Sequence, residues 1–300
     1  MDQMLAMRVF VRVVEAGTFT KAADSMDMPK PTVTKLIQNL EAHLRVKLLN
    51  RTTRRVTVTP DGAAYYERIT RLLGELEDIE AGLANAQASP KGRLRVDVGS
   101  TLARLILIPA LPSFHARYPD IQLELGVTDR PVDLISDNVD CVIRGGALTD
   151  LSLVARLVGR FNFISCATPG YLKTYGEPTD PRELATRFPV ATYMSARTGR
   201  PLPLHYEKNG EDIEVEGRHV LAVNESNAHL AVGLAGLGVM QTFTFMAQPY
   251  IDSGALQVVL ADWKQPQLPV YVVYPPNRHL SAKVRVFVDW VAELFKTLEP

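Results

Sequence analysis

Residues with hydroxyl, amide and cationic side chains are concentrated between positions 20 and 55 of this 300-residue chain. Hydroxyl and amide groups can hydrogen-bond base edges in the major groove of DNA, and lysine and arginine can bind phosphates. On the helix predicted over 31–44, such groups fill the positions outside an apolar stripe. We therefore predict DNA contacts from this segment. They are Thr20, Lys30, Pro31, Thr32, Thr34, Lys35, Gln38, Arg51, Arg54 and Arg55.

Three short helices and a hairpin must position these side chains. In the first helix, apolar residues recur at helical spacing over 5–14, and Gly17 closes it. The second helix begins at Thr18, a residue type that caps helices well. The third precedes two short strands around an arginine-rich tip at 48–59. This order of elements predicts a winged helix-turn-helix.

The charge distribution supports this prediction, although the whole chain carries 33 basic and 33 acidic residues. Residues 1–60 contain ten lysines and arginines and five acidic residues, a net charge of +5. The other 240 residues contain 23 basic and 28 acidic residues, a net charge of −5. A local positive field attracts phosphates. The neutral total therefore does not argue against a nucleic-acid partner.

A long amphipathic helix is predicted to follow within 61–91, where apolar residues alternate at spacings of three and four. This spacing is typical of the a and d positions of a coiled coil, and a dimer would bring two DNA-binding domains to two half-sites. The pattern lasts only about three heptads, so packing against its own domain is the alternative. The predicted dimer contacts are Tyr65, Ile69, Leu72, Leu76, Ile79 and Leu83.

From Gly92 onward, strand and helix patterns alternate. Strands are predicted over 93–98, with Arg93, Arg95 and Asp97 on a solvated face, and over 121–127 and 139–144. Helices over 100–114, capped by Ser100-Thr101, and 131–137 would separate them, an order that predicts a parallel sheet flanked by helices. Further strands are predicted over 161–167, 218–223, 238–242, 256–260 and 270–274, with a helix over about 228–237 and a C-terminal helix over 281–298.

The sequence disfavours an enzyme, because it has no glycine-rich phosphate loop, paired metal motif or nucleophile elbow. The closely spaced glycines of 233–238 precede a predicted strand, so helix termination explains them better than dinucleotide binding. No cofactor or metal is predicted. Cys141 and Cys166 lack metal-ligand spacing, and Cys141 is expected in the core, which suits a cytoplasmic protein. No apolar run approaches the roughly 20 residues of a membrane span, and the N-terminal pattern is unlike a secretory signal.

Three stretches in the correct order resemble one protein family. Residues 17–23, with the sequence GTFTKAA, are similar to its first two helices. Residues 33–52 contain VTK, LE and LLNRT, as its recognition helix and wing entry do, and VTPDG at 58–62 resembles its wing exit. On these motifs, the chain is identified as a member of the LysR-type transcriptional regulators.

The resemblance implies a bacterial, sequence-specific regulator with an N-terminal winged helix-turn-helix and a C-terminal, two-lobed α/β effector domain like a periplasmic binding protein. It also implies double-stranded operator DNA with an interrupted palindrome, a small-molecule effector between the lobes, and dimers that assemble into tetramers. A solute-binding or metabolic α/β protein is the alternative, but it would leave the first ninety residues unexplained. The implied domains are 1–60 for DNA binding, 61–91 for the linker helix and hinge, and 92–300 for the effector domain, with lobe one at 92–167 and 266–300 and lobe two at 168–265.

The start of the third helix departs from the family pattern. Pro29, Lys30 and Pro31 stand where the family usually has Ser-Gln-Pro. Because Pro29 offers neither a side-chain cap nor a backbone N–H, the helix start is expected to be reshaped. Lys30 replaces an amide with a cation, which can exchange a base contact for a phosphate contact.

The effector site is predicted from topology. In open α/β sheets, ligands bind beyond the carboxyl ends of strands, where helix N-termini offer free N–H groups. A small anion or carboxylate would be well satisfied at Ser100 and Thr101, and a carboxylate and an aromatic molecule are the two effector classes considered. Ser100 and Asn224 could instead cap helices, and Arg144 could bridge to a nearby acid. Phe161, Phe163, Phe243 and Phe245 could floor a pocket for an aromatic ligand, but core packing is the favoured interpretation. The predicted effector contacts are Ser100, Thr101, Thr128, Arg144 and Asn224.

Overall fold

The computed structural model describes residues 2–51, 56–84, 90–132, 134, 137, 139–146, 153–276 and 280–298. The chain forms two compact units, Met1–Ala88 and Ser89–Pro300. Each unit has its own hydrophobic core.

The first unit contains the predicted winged helix-turn-helix followed by a long helix. Strands β1 and β2 pair antiparallel, with Asn50 opposite Thr57, and the predicted arginine-rich tip at 52–55 lies outside the described residues. The elements are α1 (Gln3–Ala16), α2 (Phe19–Ser25), α3 (Lys30–Leu44), β1 (Leu49–Arg51), β2 (Val56–Val58) and α4 (Pro60–Ala84).

The boundaries of these helices follow from local chemistry. Gly17 ends α1 with φ of +69°, a left-handed conformation that suits glycine. The Thr18 hydroxyl caps α2 by accepting a hydrogen bond from the Lys21 N–H at 3.2 Å. The Thr59 hydroxyl likewise accepts from the Gly62 N–H at 2.9 Å, at the start of α4. The predicted helix starts and the glycine stop are therefore confirmed.

The second unit is built around a seven-stranded sheet. Its first part comprises β3 (Gly92–Val98), α5 (Ser100–Leu102), a π-helical segment (Ala103–Leu107), α6 (Ile108–Arg117), β4 (Ile121–Val127), β5 (Cys141–Gly145) and β6 (Val154–Ala167). Its second part comprises α7 (Pro169–Tyr175), a 3-10 segment (Pro181–Ala185), β7 (Val190–Tyr193), β8 (Leu204–Lys208), β9 (Glu211–Val215), β10 (His219–Val223), α8 (Ser226–Leu234), β11 (Met240–Phe243), α9 (Thr244–Asp252), β12 (Gln257–Val258), β13 (Gln267–Tyr274) and α10 (Ala282–Leu298).

The sheet is mixed rather than parallel throughout. Its main strand order is β11-β6-β13-β5-β3-β4, and β12 also pairs with β6. Strands β4, β3 and β5 are parallel, as predicted, since helical or irregular segments return the chain between them. Strand β13 runs antiparallel to both β5 and β6, so the parallel prediction holds for one half of the sheet.

Strand β6 connects the two lobes of the second unit. Its first residues, from Val154 to Asn162, pair with β13, and the following residues pair with β11 and β12. At the change of partner, the Gln267 side-chain amide donates to the Asn162 amide oxygen at 2.8 Å. Two adjacent, hydrogen-bonded strands therefore carry the chain from one lobe to the other.

Several sequence predictions for this unit are corrected. Strands β7, β8 and β9 were not predicted, although β8 and β9 alternate apolar and polar residues on both sides of an Asn209-Gly210 turn. No described residue of the predicted helix over 131–137 is helical, and residues 133, 135 and 136 lie outside the described residues. Gly99 is the N-cap of α5, without a side-chain cap bond, so Ser100 and Thr101 are helical residues and not caps. Asp97 is buried, because its neighbours on both sides of β3 and the cation Arg144 enclose it.

Candidate functional site

The outer face of α3 presents polar side chains to solvent, as the sequence pattern predicts. Lys30, Thr32, Lys35 and Gln38 are exposed, together with Pro31. On α2, Thr20 is exposed as well. The Thr34 hydroxyl is half-buried and donates to the Lys30 carbonyl at 3.0 Å, so its donor is used within the helix. The side chain of Arg51, and Arg54 and Arg55 as a whole, lie outside the described residues.

Pro29 does not prevent the third helix from forming. The helix begins at Lys30, one residue before the predicted start, and its N-cap makes no side-chain hydrogen bond. Instead, the Pro29 carbonyl accepts from the N–H groups of Thr32 and Val33, at 2.9 and 3.2 Å. The first turn therefore forms without a side-chain cap. Lys30 and Pro31 are exposed on this turn.

A buried carboxylate fixes this helix to the hairpin. Glu41 is 3% exposed, and its Oε1 accepts from the N–H groups of Leu48 and Leu49 at 3.0 and 3.2 Å. Its Oε2 accepts from Lys47 Nζ at 3.2 Å. Hydrogen bonds to a charged group are stronger than neutral ones, so this contact sets the position of β1 relative to α3. The sequence signal was available, since Glu41 stands four residues after the buried Ile37 and therefore on the core face.

The helix α4 is only partly free to form a dimer seam. The ring of Tyr65 packs 5.5 Å from that of Phe10, and Ile69 is buried as well. Leu72 is 46% exposed, and Leu76 is partly exposed. The side chains of Ile79 and Leu83 lie outside the described residues. Tyr65 and Ile69 thus follow the alternative interpretation, packing on their own domain, while Leu72 and Leu76 remain predicted dimer contacts.

A cavity of about 560 Å³ lies between the two lobes of the second unit. Of the predicted effector contacts, Thr101 and Arg144 line this cavity. Ser100, Thr128 and Asn224 line an adjoining pocket of about 230 Å³. Asp129 lines both, so all five predicted residues lie around one junction of the lobes.

Asp129 holds the N-terminal ends of two helices together. Its Oδ1 accepts from the Ser100 N–H at 2.8 Å and from the Ser100 hydroxyl at 3.0 Å, at the start of α5. Its Oδ2 accepts from the Ser226 N–H at 2.8 Å and from the Ser226 hydroxyl at 3.0 Å, at the start of α8. The Asp129 carboxylate therefore accepts hydrogen bonds from the first residues of two helices, α5 and α8, which belong to different lobes.

A second carboxylate reinforces this junction from the opposite lobe. Glu225 is the N-cap of α8 and accepts from the N–H groups of Asn227 and Ala228, at 3.0 and 2.7 Å. The Ser100 hydroxyl lies within hydrogen-bond distance of both Glu225 and Asp129, and its single hydrogen can be donated to one of them at a time. Burial alone would raise the pKa of Glu225, but the hydrogen bonds from Ser100, Asn227 and Ala228 outweigh it and lower that pKa. Both acids stand next to predicted residues, since Asp129 follows Thr128 and Glu225 follows Asn224.

Arg144 forms an ion pair with Asp97, as the alternative interpretation proposed. Its guanidinium bonds the Asp97 carboxylate and also lies 3.3 Å from the Arg130 carbonyl. Burial raises the pKa of Asp97, and the attraction of Arg144 opposes that rise. The positive charge of Arg144 is therefore matched by an acid beside it before any ligand binds.

The remaining lining of the cavity is largely apolar and aromatic. Phe161, Phe163, Phe243 and Phe245 all line it and are only partly buried. The rings of Phe161 and Phe245 lie 4.7 Å apart, as do those of Phe163 and Phe243. Core packing, the interpretation favoured from sequence, is therefore incomplete, because the four rings pack on each other and also form a cavity wall.

Polar side chains interrupt this apolar lining, among them Thr101, Tyr193 and His229. Thr101 is 4% exposed, and its hydroxyl has no hydrogen-bond partner among the described residues. His229 Nε2 lies 2.9 Å from the Ala191 carbonyl, and burial lowers the pKa of this imidazole. Tyr193 also lines the cavity, and burial raises its pKa to about 12. His229 and Tyr193 are therefore neutral near pH 7, and Thr101 offers an unused donor.

Two family models account for nearly the whole chain. Residues 4–63 match the model of a bacterial regulatory helix-turn-helix protein, lysR family. Residues 87–296 match the LysR substrate binding domain. The chain belongs to the LysR family. The resemblance found in the sequence motifs is confirmed.

Curated relatives and solved structures are similar over almost their full lengths. An HTH-type transcriptional repressor of Pseudomonas aeruginosa is 41% identical over 295 residues, covering 98% of this chain and 93% of the relative. The HTH-type transcriptional activator AaeR of Escherichia coli is 32% identical, with 98% and 94% covered. The structure of CrgA from Neisseria meningitidis has 29% identity and a TM-score of 0.61, with 97% and 98% covered. Full-length AphB of Vibrio cholerae has 29% identity and a TM-score of 0.60, with 96% and 98% covered.

This LysR-type chain is thus a DNA-binding transcriptional regulator with an effector-binding second unit. Membership in a regulator family argues against an enzyme, in agreement with the sequence motifs. Cys141 and Cys166 are both buried, and burial raises the pKa of Cys166 to about 12, so both are core thiols. The described residues hold no group of three or more metal-ligating side chains. Among the described helices, none has the length and apolarity needed to cross a membrane.

Proposed function

We propose that this regulator reads operator DNA with the exposed face of α3 and with the hairpin that follows it. The observation that carries the proposal is the rigid seating of α3, through Glu41, with a polar and cationic face turned to solvent. Helix residues that contact base edges must be held in register, since displacement by about an ångström breaks a bidentate hydrogen bond. The proposed base and phosphate contacts are the ten residues predicted from the sequence, with Lys35 and Gln38 central on the exposed face.

The test is selection of operator sites from random duplex DNA, followed by titration of the selected site. Lys35→Ala is expected to weaken the complex by about 1–3 kcal/mol if the lysine reads a base. If it binds a phosphate, affinity falls evenly for all sequences and the salt dependence decreases. Lys173→Ala, an exposed lysine on α7 of the second unit, is the matched control and is expected to leave both quantities unchanged. Unchanged binding by Lys35→Ala would remove Lys35 from the interface.

We also propose that the protein acts as a cytoplasmic dimer joined through α4, which can pair further into a tetramer on an interrupted palindrome. Leu72 and Leu76 support this proposal, because both leave apolar surface uncovered in the single chain. A lysine in a closed apolar seam would be desolvated, so Leu72→Lys and Leu76→Lys should each dissociate the dimer in sedimentation experiments. Dimers that survive both substitutions would move the interface to the second unit.

The interlobe cavity is the proposed effector site, with Ser100, Thr101, Thr128, Arg144 and Asn224 around it. Its volume falls in the range of small-molecule sites, and a ligand touching both lobes can shift the equilibrium between lobe arrangements. Thr101→Val keeps the side-chain volume and removes the hydroxyl. It should weaken the response to effector in a reporter assay while leaving operator affinity unchanged.

A further inference from the structure

The position suited to an anion at the lobe junction is already occupied by the protein. Helix N-termini attract anions, because their first N–H groups have no partner within the helix. Here the N–H groups of Ser100 and Ser226 both donate to Asp129 at 2.8 Å. Both serine hydroxyls also lie 3.0 Å from this carboxylate. Asp129 therefore takes the first N–H group of each helix, and Glu225 takes the next two N–H groups of α8.

The charges around this junction would also repel an anionic ligand. Asp129 and Glu225 lie at the helix ends, and Asp97 lies beside Arg144. The guanidinium of Arg144 is engaged by Asp97 and by the Arg130 carbonyl. Three acids, Asp97, Asp129 and Glu225, thus stand against two cations, Arg144 and the exposed Arg130 of the adjoining pocket. A further carboxylate would enter a region of net negative charge that is partly buried, where charge repulsion is strong.

The rest of the cavity is suited to an uncharged, planar and apolar molecule. Its wall includes four phenylalanine rings, and its volume of about 560 Å³ can enclose a ligand of two or three rings. Aromatic ligands pack well against such rings, either offset or edge to face. The buried Thr101 hydroxyl, which has no partner among the described residues, can donate to a carbonyl or ether oxygen of the ligand.

We propose that the interlobe cavity binds an uncharged aromatic effector, and that Asp129 occupies the position where an anionic group would otherwise sit between α5 and α8. This inference rests on the proposed effector site. It names the ligand class and assigns Asp129 as the residue that sets it. Of the two ligand classes considered from the sequence, the carboxylate is disfavoured here by the protein's own acid and the aromatic molecule is retained.

The first experiment uses a matched pair of probes on the full-length protein. We would titrate it at pH 7.5 with 2-naphthamide and with 2-naphthoate, following heat release and melting temperature. The amide should bind at least tenfold more tightly than the carboxylate. In Asp129→Asn, which removes the charge and keeps the side-chain size, this preference should fall to threefold or less. Equal binding of the two probes by the wild type, or binding of neither, would overturn the proposal.

The second experiment tests whether Asp129 occupies an anion position. Asp129→Ala should lower the melting temperature, and acetate should restore part of the loss with a saturable dose dependence, whereas chloride at equal ionic strength should not. Asp289→Ala, which removes an exposed acid paired with Arg156, is the control and should show no rescue. Stabilisation of the wild type by acetate to the same extent as Asp129→Ala would contradict the proposal, as would an unchanged melting temperature of Asp129→Ala.

Operator binding measured on the same samples separates this inference from the proposed function. Operator binding together with a preference for the carboxylate probe overturns the ligand class alone. Probe discrimination without operator binding overturns the DNA-binding role alone.

Discussion

Glu41 and Asp129 each accept hydrogen bonds from two backbone N–H groups, but they connect different kinds of structure. Glu41 binds Leu48 and Leu49, seven and eight residues away and within one domain. Asp129 binds Ser100 and Ser226, which are 29 and 97 residues away and belong to different lobes. Glu41 is buried, whereas Asp129 is partly exposed at the edge of a cavity.

We call the buried contact of Glu41 a fixed contact, and the partly exposed contact of Asp129 between the lobes a joint. Removing Glu41 leaves buried N–H groups without water to replace their partner, so the contact persists as long as the domain is folded. The partners of Asp129 can be rehydrated when the lobes move apart, since its junction adjoins two cavities. We therefore expect the DNA-binding domain to keep one conformation, whereas the proposed effector site lies where the two lobes can change their arrangement.

The largest effect is expected from Glu41→Ala. Loss of charge-assisted hydrogen bonds to two buried N–H groups should lower the free energy of unfolding of the first unit by about 3 kcal/mol. Urea denaturation followed by circular dichroism would measure it. Glu15→Ala, at an exposed acid paired with Arg12, is the control and should change stability by less than about 0.5 kcal/mol. Similar values for the two variants would show that Glu41 is not a fixed contact.

Gly62, which lies beside the Leu48 backbone that Glu41 binds, should show the next largest loss of stability when substituted. A Cβ on Gly62 would lie 2.0 Å from the Leu48 carbonyl oxygen and 2.8 Å from a Val58 methyl, so Gly62→Ala must displace α4 or β1. We expect destabilisation of about 2 kcal/mol, as for overpacked cores. Gly74→Ala lies in the same helix with open space around its Cβ, and should stabilise by about 0.5–1 kcal/mol. A change in unfolding free energy of the same sign for the two variants would contradict the close approach of Gly62 to Leu48.

Asp129→Ala should lower the free energy of unfolding less than Glu41→Ala and should also change the distance between the two lobes. Because Asp129 is partly exposed, water replaces part of what is lost, and the second unit should lose about 1–2 kcal/mol. The lobes should also separate, which small-angle scattering would detect as a wider distribution of interatomic distances. A variant that loses stability but keeps the wild-type scattering curve would assign Asp129 to one lobe only.

The smallest effect is a pH dependence at the same junction. The pKa of Glu225 is lowered from its ordinary value of 4.5, so its stabilising contribution is present above that pH and is lost as pH falls through the lowered value. The difference in unfolding free energy between wild type and Glu225→Gln should therefore be constant above pH 4.5 and shrink below it. A difference that does not vary with pH would mean that Ser100, Asn227 and Ala228 do not favour the ionised form.

The local features of this fold were predictable because their causes are close in sequence. Gly17 and Thr18 mark a helix stop and start through their own conformation and hydrogen bonds. Ser100, directly after β3, and Arg144, near the end of β5, were selected by the rule that ligands bind beyond the carboxyl ends of strands. These signals also sufficed to recognise the family from its motifs.

The parts that were missed depend on residues far apart in the chain. That Asp129 rather than a ligand occupies the two helix ends follows from contacts that span 97 residues, and no local pattern encodes them. The pocket formed by the four phenylalanines was considered but not favoured, because an apolar residue has the same spacing in a core and in a cavity wall. The β8–β9 hairpin is an exception, since its signal is local: apolar residues alternate on both sides of the Asn209-Gly210 turn.

Hydrogen exchange of the full-length protein, measured by mass spectrometry, tests the contrast between the fixed contact and the joint most directly. In Asp129→Ala, peptides containing Ser100 and Ser226 should both exchange faster, because one carboxylate holds both N–H groups, while peptides containing Leu48 and Leu49 should be unchanged. In Glu41→Ala the pattern should reverse. Faster exchange at Ser100 with no change at Ser226 would contradict the account, because Asp129 would then not join the lobes.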